Sequence, residues 1–166
     1  MASKIMFHGE TWTDDAFRFF DNRRLNGAIS RLRRFERKKG IRFDAIVGCG
    51  ISGLIPATLL CDRLHLPLLA IRKKTDKGPN WESKLAGVIP DNVSLTQRVN
   101  YLGVDDLISS GTTMTHVINH INSVDGDVVA IMLYAQGEFI HHLDYAGVPI
   151  IVLSGCNQYS ISDSEE

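Results

Sequence analysis

The densest chemistry in the 166-residue chain lies in Val104-Asp105-Asp106-Leu107-Ile108-Ser109-Ser110-Gly111-Thr112-Thr113. Two adjacent carboxylates close an aliphatic run, small hydroxyl residues and a glycine follow, and a helical pattern begins. At a helix N-terminus, hydroxyls and free backbone N–H groups converge with the positive end of the helix dipole, which makes an anion site. Gly111 lets the backbone approach that anion with no side chain in the way. Asp105 and Asp106 would repel a phosphate. They suit sugar hydroxyls, whose protons a carboxylate accepts, or a metal ion faced through water. A sugar phosphate that carries a diol satisfies both halves.

A second segment, Gly48-Cys49-Gly50-Ile51-Ser52-Gly53, matches G-x-G-x-x-G between a strand and a helix. A dinucleotide site needs an acid about 20 residues on to hold the ribose. Here the next strand ends in Arg72-Lys73-Lys74, which suits only the 2′-phosphate of NADP. That reading also leaves the Asp105–Thr113 segment without a role. A phosphate-binding loop and a plain structural turn are the other readings.

These loops must be held by a frame. Residues 1–40 have a helical pattern: Thr13 with Asp14 and Asp15 offers an N-cap, and Ala28, Ile29, Leu32 and Phe35 recur at helical spacing. Gly40 supplies the stop, and Asn26-Gly27 is a point where the region can divide into two helices. The opposite face carries Arg23, Arg24, Arg31, Arg33, Arg34, Arg37, Lys38 and Lys39, a solvated face or a phosphate-, RNA- or subunit-facing patch. Beyond Gly40, strands at 43–47, 68–71, 99–104, 128–134 and 148–153 alternate with helices at 53–64, 113–122 and 138–145. Pro56 falls in the first turn of its helix on this reading. Alternation of this kind implies an α/β fold with a mainly parallel five-stranded sheet flanked by helices. Right-handed crossovers then gather the loops after the strands on one edge, where ligands of such sheets bind.

Asp105 to Thr113, entered by Gln97-Arg98-Val99, resembles the 5-phosphoribosyl-1-pyrophosphate (PRPP) signature of type I phosphoribosyltransferases (PRTases). Asn100 and Gly103 depart from the usual aliphatic run. Phe43 to Lys74 resembles the same family throughout. The resemblance implies a type I PRTase fold with a flexible-loop hairpin and a small hood. It also implies a glycosyltransferase of nucleotide metabolism, moving phosphoribosyl from PRPP to a nitrogenous base with Mg²⁺. Asp105 and Asp106 would hold the ribose hydroxyls at the reacting centre. Ser109, Ser110, Gly111, Thr112 and Thr113 would anchor the 5′-phosphate. Cys49, Gly50, Ile51 and Ser52, with Arg72 and Lys73, would hold pyrophosphate, with a non-proline cis peptide expected near Ile51. The polar stretch 73–97, with Lys77 and Trp81, would be the loop that closes over the site. Tyr134 and Tyr159 are candidates to stack on the base. Hypoxanthine-guanine members have an acid where Ser109 stands, which argues against a close member of that group; adenine and orotate members lack it, and an adenine-like enzyme is favoured slightly over an orotate-like one. Members of this fold that act as regulators without turnover are the alternative, followed by a small NADP-dependent oxidoreductase. The family is commonly dimeric, so a homodimer is expected.

The length suits a single domain: a helical segment 1–40, a core 41–153 and a tail 154–166. With 44% hydrophobic and 22% charged residues the chain can bury an α/β core. A net charge of −1 gives no general attraction to nucleic acid or membranes. No segment has the apolar run of a signal peptide or a membrane span, so a cytoplasmic enzyme is expected. Cys49, Cys61 and Cys156 form no C-x-x-C pair and are expected to be free thiols. His116 and His120, four residues apart, suit a half-buried helix face better than a metal site.

Overall fold

The structure is a computed structural model. It describes Ala16 and residues 18–71, 98–106, 108, 110–134 and 144–153. The cap expected at Thr13, the polar stretch 73–97 and the tail 154–166 lie outside the described residues.

A turn of 3-10 helix at Arg18–Phe20 leads into α1, Asn22–Lys39. Asp21 caps α1 by accepting the Arg23 N–H at 2.8 Å, one of the donors that a helix start leaves open. Gly40 ends the helix at φ 65°, a conformation free of Cβ strain only for glycine. Asn26-Gly27 does not divide the helix. Leu25, Ala28 and Leu32 bury one face across that pair, and this anchoring outweighs the about 0.5–1 kcal/mol that a mid-helix glycine costs. Part of the basic face has internal work. Arg24 donates to the Tyr134 carbonyl and Arg31 to the Val152 carbonyl, each at 2.8 Å. Arg33 pairs at 2.9 Å with Glu36, which is buried and accepts the Phe43 N–H through its other oxygen.

The remaining elements are β1 (Ala45–Cys49), α2 (Gly50–Leu64), β2 (Leu68–Ile71), β3 (Val99–Asp105), α3 (Thr112–Ser123), β4 (Gly126–Leu133), β5 (Asp144–Tyr145) and β6 (Val148–Val152). They form a six-stranded sheet in the order β2-β1-β3-β4-β6-β5, parallel except where β5 runs against β6. The mainly parallel sheet is as expected, but with six strands rather than five. Asp144–Tyr145, expected to end a helix, instead pairs with Val148–Pro149. Ala146 and Gly147 between them have φ of 52° and 79°, the pair of positive values that a two-residue hairpin turn needs. The rest of that expected helix lies outside the described residues.

The helices cover both faces, as a parallel sheet requires. α1 and α2 pack on Ile46, Leu102, Ala130 and Met132. α3 brings Met114, Val117 and Ile121 against Val47, Ile131 and Leu133. From β1 the chain crosses outward to β2, and from β3 it crosses the other way to β4. The direction reverses between β1 and β3, which leaves a crevice at their carboxyl ends. α2 closes down on that point. A Cβ on Gly53 would lie 2.6 Å from the Val104 carbonyl oxygen, and one on Gly48 would lie 2.8 Å from the Gly53 carbonyl oxygen. Both partners are backbone and have little room to give way.

Gly53→Ala is therefore expected to lose about 1–3 kcal/mol of stability in denaturant unfolding, the usual cost of overpacking. Gly27→Ala has nothing within 4 Å of its new Cβ and is expected to gain up to about 1 kcal/mol. Equal midpoints for the two variants would disprove the close approach.

Candidate functional site

The first glycine-rich segment is tighter than its sequence suggests. β1 runs to Cys49, and α2 begins at once with Gly50 at φ 67°, three residues before the expected start. Cys49 to Ser52 is thus a strand end and a first helical turn. Cys49 provides no side-chain cap, so the early N–H groups of α2 keep the donor character of a helix N-terminus. Ile51 is exposed at the tip. The described residues contain no cis peptide bond, so the one expected near Ile51 is not found. Pro56 lies inside the helix rather than in its first turn, because α2 starts early.

Ser52 is buried, and its Oγ donates to Asp105 Oδ1 at 3.0 Å. The Ser52 hydroxyl is thus committed to the first acid of the second segment, while its backbone amide, the group expected to meet pyrophosphate, lies in the first turn of α2. Asp105 Oδ1 also accepts the Asp106 N–H at 2.9 Å. Burial pushes the Asp105 carboxyl from an ordinary 3.8 up to about 7, and the neighbouring Asp106 carboxyl adds to the rise. The Ser52 hydroxyl and the Asp106 amide oppose it. A cation or a sugar hydroxyl brought to this carboxyl favours its ionised form.

Beyond the acids, Ile108 packs into the core beneath α3, and the N-cap of that helix is Gly111 at φ 76°. Ser110 and Thr112 are exposed, with their hydroxyl oxygens 3.0 Å apart, and Thr113 is half-buried. Hydroxyls at an open helix start make the donor cluster that an anion needs. Tyr145, on the far-edge strand β5, holds this turn from below. Its Oη donates to the Gly111 carbonyl at 2.9 Å and lies 2.6 Å from Thr115 Oγ1. A Cβ on Gly111 would overlap the Tyr145 ring, so glycine is required here on two counts. Sequence reasoning missed Tyr145 by extending a helix over it. The signal available was the Ala146-Gly147 turn between Tyr145 and Val148.

Tyr134 needs correction as a base-stacking candidate. It is fully buried, its ring meets Phe19 edge-on at 5.1 Å, and its hydroxyl donates to the Ser52 carbonyl at 2.7 Å. No ring face is left for a base. Arg72, Lys73, Lys77, Trp81, Ser109 and Tyr159 lie outside the described residues. His116 and His120 are half-buried on α3, and burial followed by the charge of His116 holds the His120 imidazole below its usual range. Cys49 and Cys61 are buried thiols, and burial pushes that of Cys61 up to about 12. Among the described residues no helix is long and apolar enough to cross a membrane.

Among the described residues no three His, Cys, Asp or Glu side chains converge on one point. A closed protein cage for a metal is therefore not available from them. Asp105 and Asp106 offer hard carboxylate oxygens, which fits Mg²⁺, an ion that takes one or two carboxylates and completes its shell with water and substrate oxygens.

The raised Asp105 carboxyl makes a signed prediction. The folded state holds this proton more tightly than the unfolded chain, so the associated stability is complete below about pH 3.8 and is lost as pH rises through about 7. Asp105→Asn removes that loss. It is expected to be more stable than the wild type at pH 8 by about 1–3 kcal/mol, each pKa unit being worth about 1.4 kcal/mol at most. The advantage is expected to vanish near pH 4. Parallel stability curves would disprove the burial of this charge.

The sequence model of the phosphoribosyl transferase domain matches residues 18–144. The orotate phosphoribosyltransferase of Staphylothermus marinus is 28% identical over 98 residues, which cover 59% of this chain and 44% of that protein. The transcriptional regulator GfcR of Methanocaldococcus jannaschii is 26% identical over 145 residues, covering 81% of this chain and 65% of that protein. The chain thus spans less than two thirds of the length of either relative. The crystal structure of orotate phosphoribosyltransferase from Aeropyrum pernix superimposes with a TM-score of 0.52 at 26% identity, covering 68% of this chain and 60% of that one. By that match across most of its length, and by a parallel sheet that gathers both loops at one crevice, the chain belongs to the phosphoribosyl transferase domain family, with the type I fold.

Proposed function

We propose that this chain transfers the 5-phosphoribosyl group from PRPP to a nitrogenous base and releases pyrophosphate, in nucleotide salvage or synthesis. The observation that carries this reading is the 3.0 Å bond from Ser52 to Asp105. It joins two anion-suited helix starts to a pair of acids at the reversal point of the sheet, where a sugar carrying phosphate at one end and diphosphate at the other would span them. Asp105 and Asp106 hold the 2′- and 3′-hydroxyls and favour positive charge on the ribose ring. Ser109 to Thr113 bind the 5′-phosphate, and that remote binding energy positions C1. The amides of Cys49 to Ser52, with Arg72 and Lys73, receive the pyrophosphate. Asp105 and Asp106 would also hold Mg²⁺ through water, and the ion would supply charge neutralisation for the leaving group when bound.

Two acceptors head the panel. Ser109 in place of an acid disfavours a hypoxanthine-guanine enzyme and leaves adenine and orotate to be tried first, and several curated relatives are orotate phosphoribosyltransferases by name. Membership of the family replaces the NADP reading of the glycine-rich segment. A second reading, a PRPP-binding regulator without turnover, is supported by the GfcR relative. It is also supported by α1, which carries eight basic residues and one acid in a chain of net charge −1.

Pyrophosphate release, assayed with Mg²⁺, PRPP and each candidate base in turn, tests the proposal. Release is expected with one base, and the double variant Asp105→Asn/Asp106→Asn is expected to be slower by at least about 100-fold. Thermal stabilisation by PRPP without release from any base, together with salt-sensitive binding of nucleic acid, would establish the regulator instead. Neither release nor stabilisation would overturn both readings.

A further inference from the structure

Helix α2 contains a proline where a regular helix would have a donor. The N–H of residue 56 would bond to the carbonyl of residue 52, but Pro56 has no N–H and its ring crowds that carbonyl. The Ser52 carbonyl would be left open in the interior, where an unmet acceptor is costly. It accepts the Tyr134 hydroxyl instead, at 2.7 Å. Tyr134 stands just after β4 and is pinned on every side: Phe19 against its ring, Arg24 on its carbonyl, and its own N–H on the Asp106 carbonyl at 3.2 Å.

These bonds close on themselves. The Tyr134 hydroxyl holds Ser52, the Ser52 hydroxyl holds Asp105, the Asp106 amide holds the same Asp105 oxygen, and the Tyr134 amide holds Asp106. We infer that Tyr134 and Pro56 act together as positioning residues for the acidic pair. Pro56 frees the carbonyl, Tyr134 occupies it, and the first turn of α2 is thereby fixed so that Ser52 aims the Asp105 carboxylate. Both residues are buried and act through Ser52 rather than on a ligand. The inference rests on the proposed function only for what the carboxylate does, since the circuit itself is a property of the fold.

The pairing makes rescue possible. In Tyr134→Phe the Ser52 carbonyl loses its only side-chain donor of the circuit. Adding Pro56→Ala gives residue 56 an N–H that reaches the same carbonyl along the helix. Wild type, Tyr134→Phe, Pro56→Ala, the double variant and Ser52→Ala would be compared by thermal unfolding. Each would also be tested by calorimetric titration with PRPP and Mg²⁺, well below its unfolding temperature. Tyr134→Phe is expected to lower Tm by about 2–6 °C and to weaken PRPP binding about tenfold, the scale of one hydrogen bond. The double variant is expected to regain most of both. Ser52→Ala is expected to weaken binding in a way that Pro56→Ala does not restore, because it breaks the link beyond the carbonyl. Wild-type PRPP affinity in folded Tyr134→Phe would overturn the positioning role, and so would additive losses in the double variant. If the wild type itself does not bind PRPP, the proposed function fails separately. The circuit is then decided by unfolding alone, where rescue of Tm supports it and additive losses overturn it.

Discussion

The site depends on one close backbone approach. The first turn of α2 lies against the carboxyl ends of β1 and β3 because Gly48 and Gly53 have no side chains to hold it off. With a methyl group at either position the helix would have to ride outward, and Ser52 would no longer meet Asp105. The spacing of the glycines, which sequence alone could assign to a dinucleotide, is thus accounted for by packing before any ligand is considered. The candidate site is a consequence of how near two strand ends and a helix start can be brought.

Charge follows from that nearness. Two carboxylates held side by side at a buried strand end repel each other, and water is too scarce to screen them. The fold does not remove the conflict. It supplies Asp105 with a hydroxyl from one segment and an amide from the other, which lessens the penalty without cancelling it. A site left in this state favours a bound cation or a polyol, because such a partner relieves what the protein alone leaves in tension.

Much of this was legible in the residues. The five longer strands, the helices after β1 and β3 and the chemistry of Asp105–Thr113 follow from apolar runs and turn residues that act locally. What escaped depends on residues distant in sequence. Asn26-Gly27 looked like a break because nothing nearby shows that Leu25, Ala28 and Leu32 find a core to bury into. Tyr134 looked like a ligand contact, and the Ser52 hydroxyl had no partner in view, because the groups they bond stand 82 and 53 residues away. Tyr145 was hidden because a two-residue strand has no period to detect. A hydroxyl in a glycine-rich loop is ambiguous until the group it faces is known.

Several of the bonds that complete the site join early residues to late ones. Arg24 waits for Tyr134, Arg31 for Val152, and the turn at Gly111 for Tyr145. As the chain leaves the ribosome, β1, α2 and β3 emerge with their glycines and acids already in order, yet the residues that clasp them follow later. Until then the acidic pair stands in a half-built crevice beside an uncovered sheet. The geometry of the crevice is therefore completed only once residues 134–152 have emerged, and a chain that stops short of them carries the recognisable signature without it.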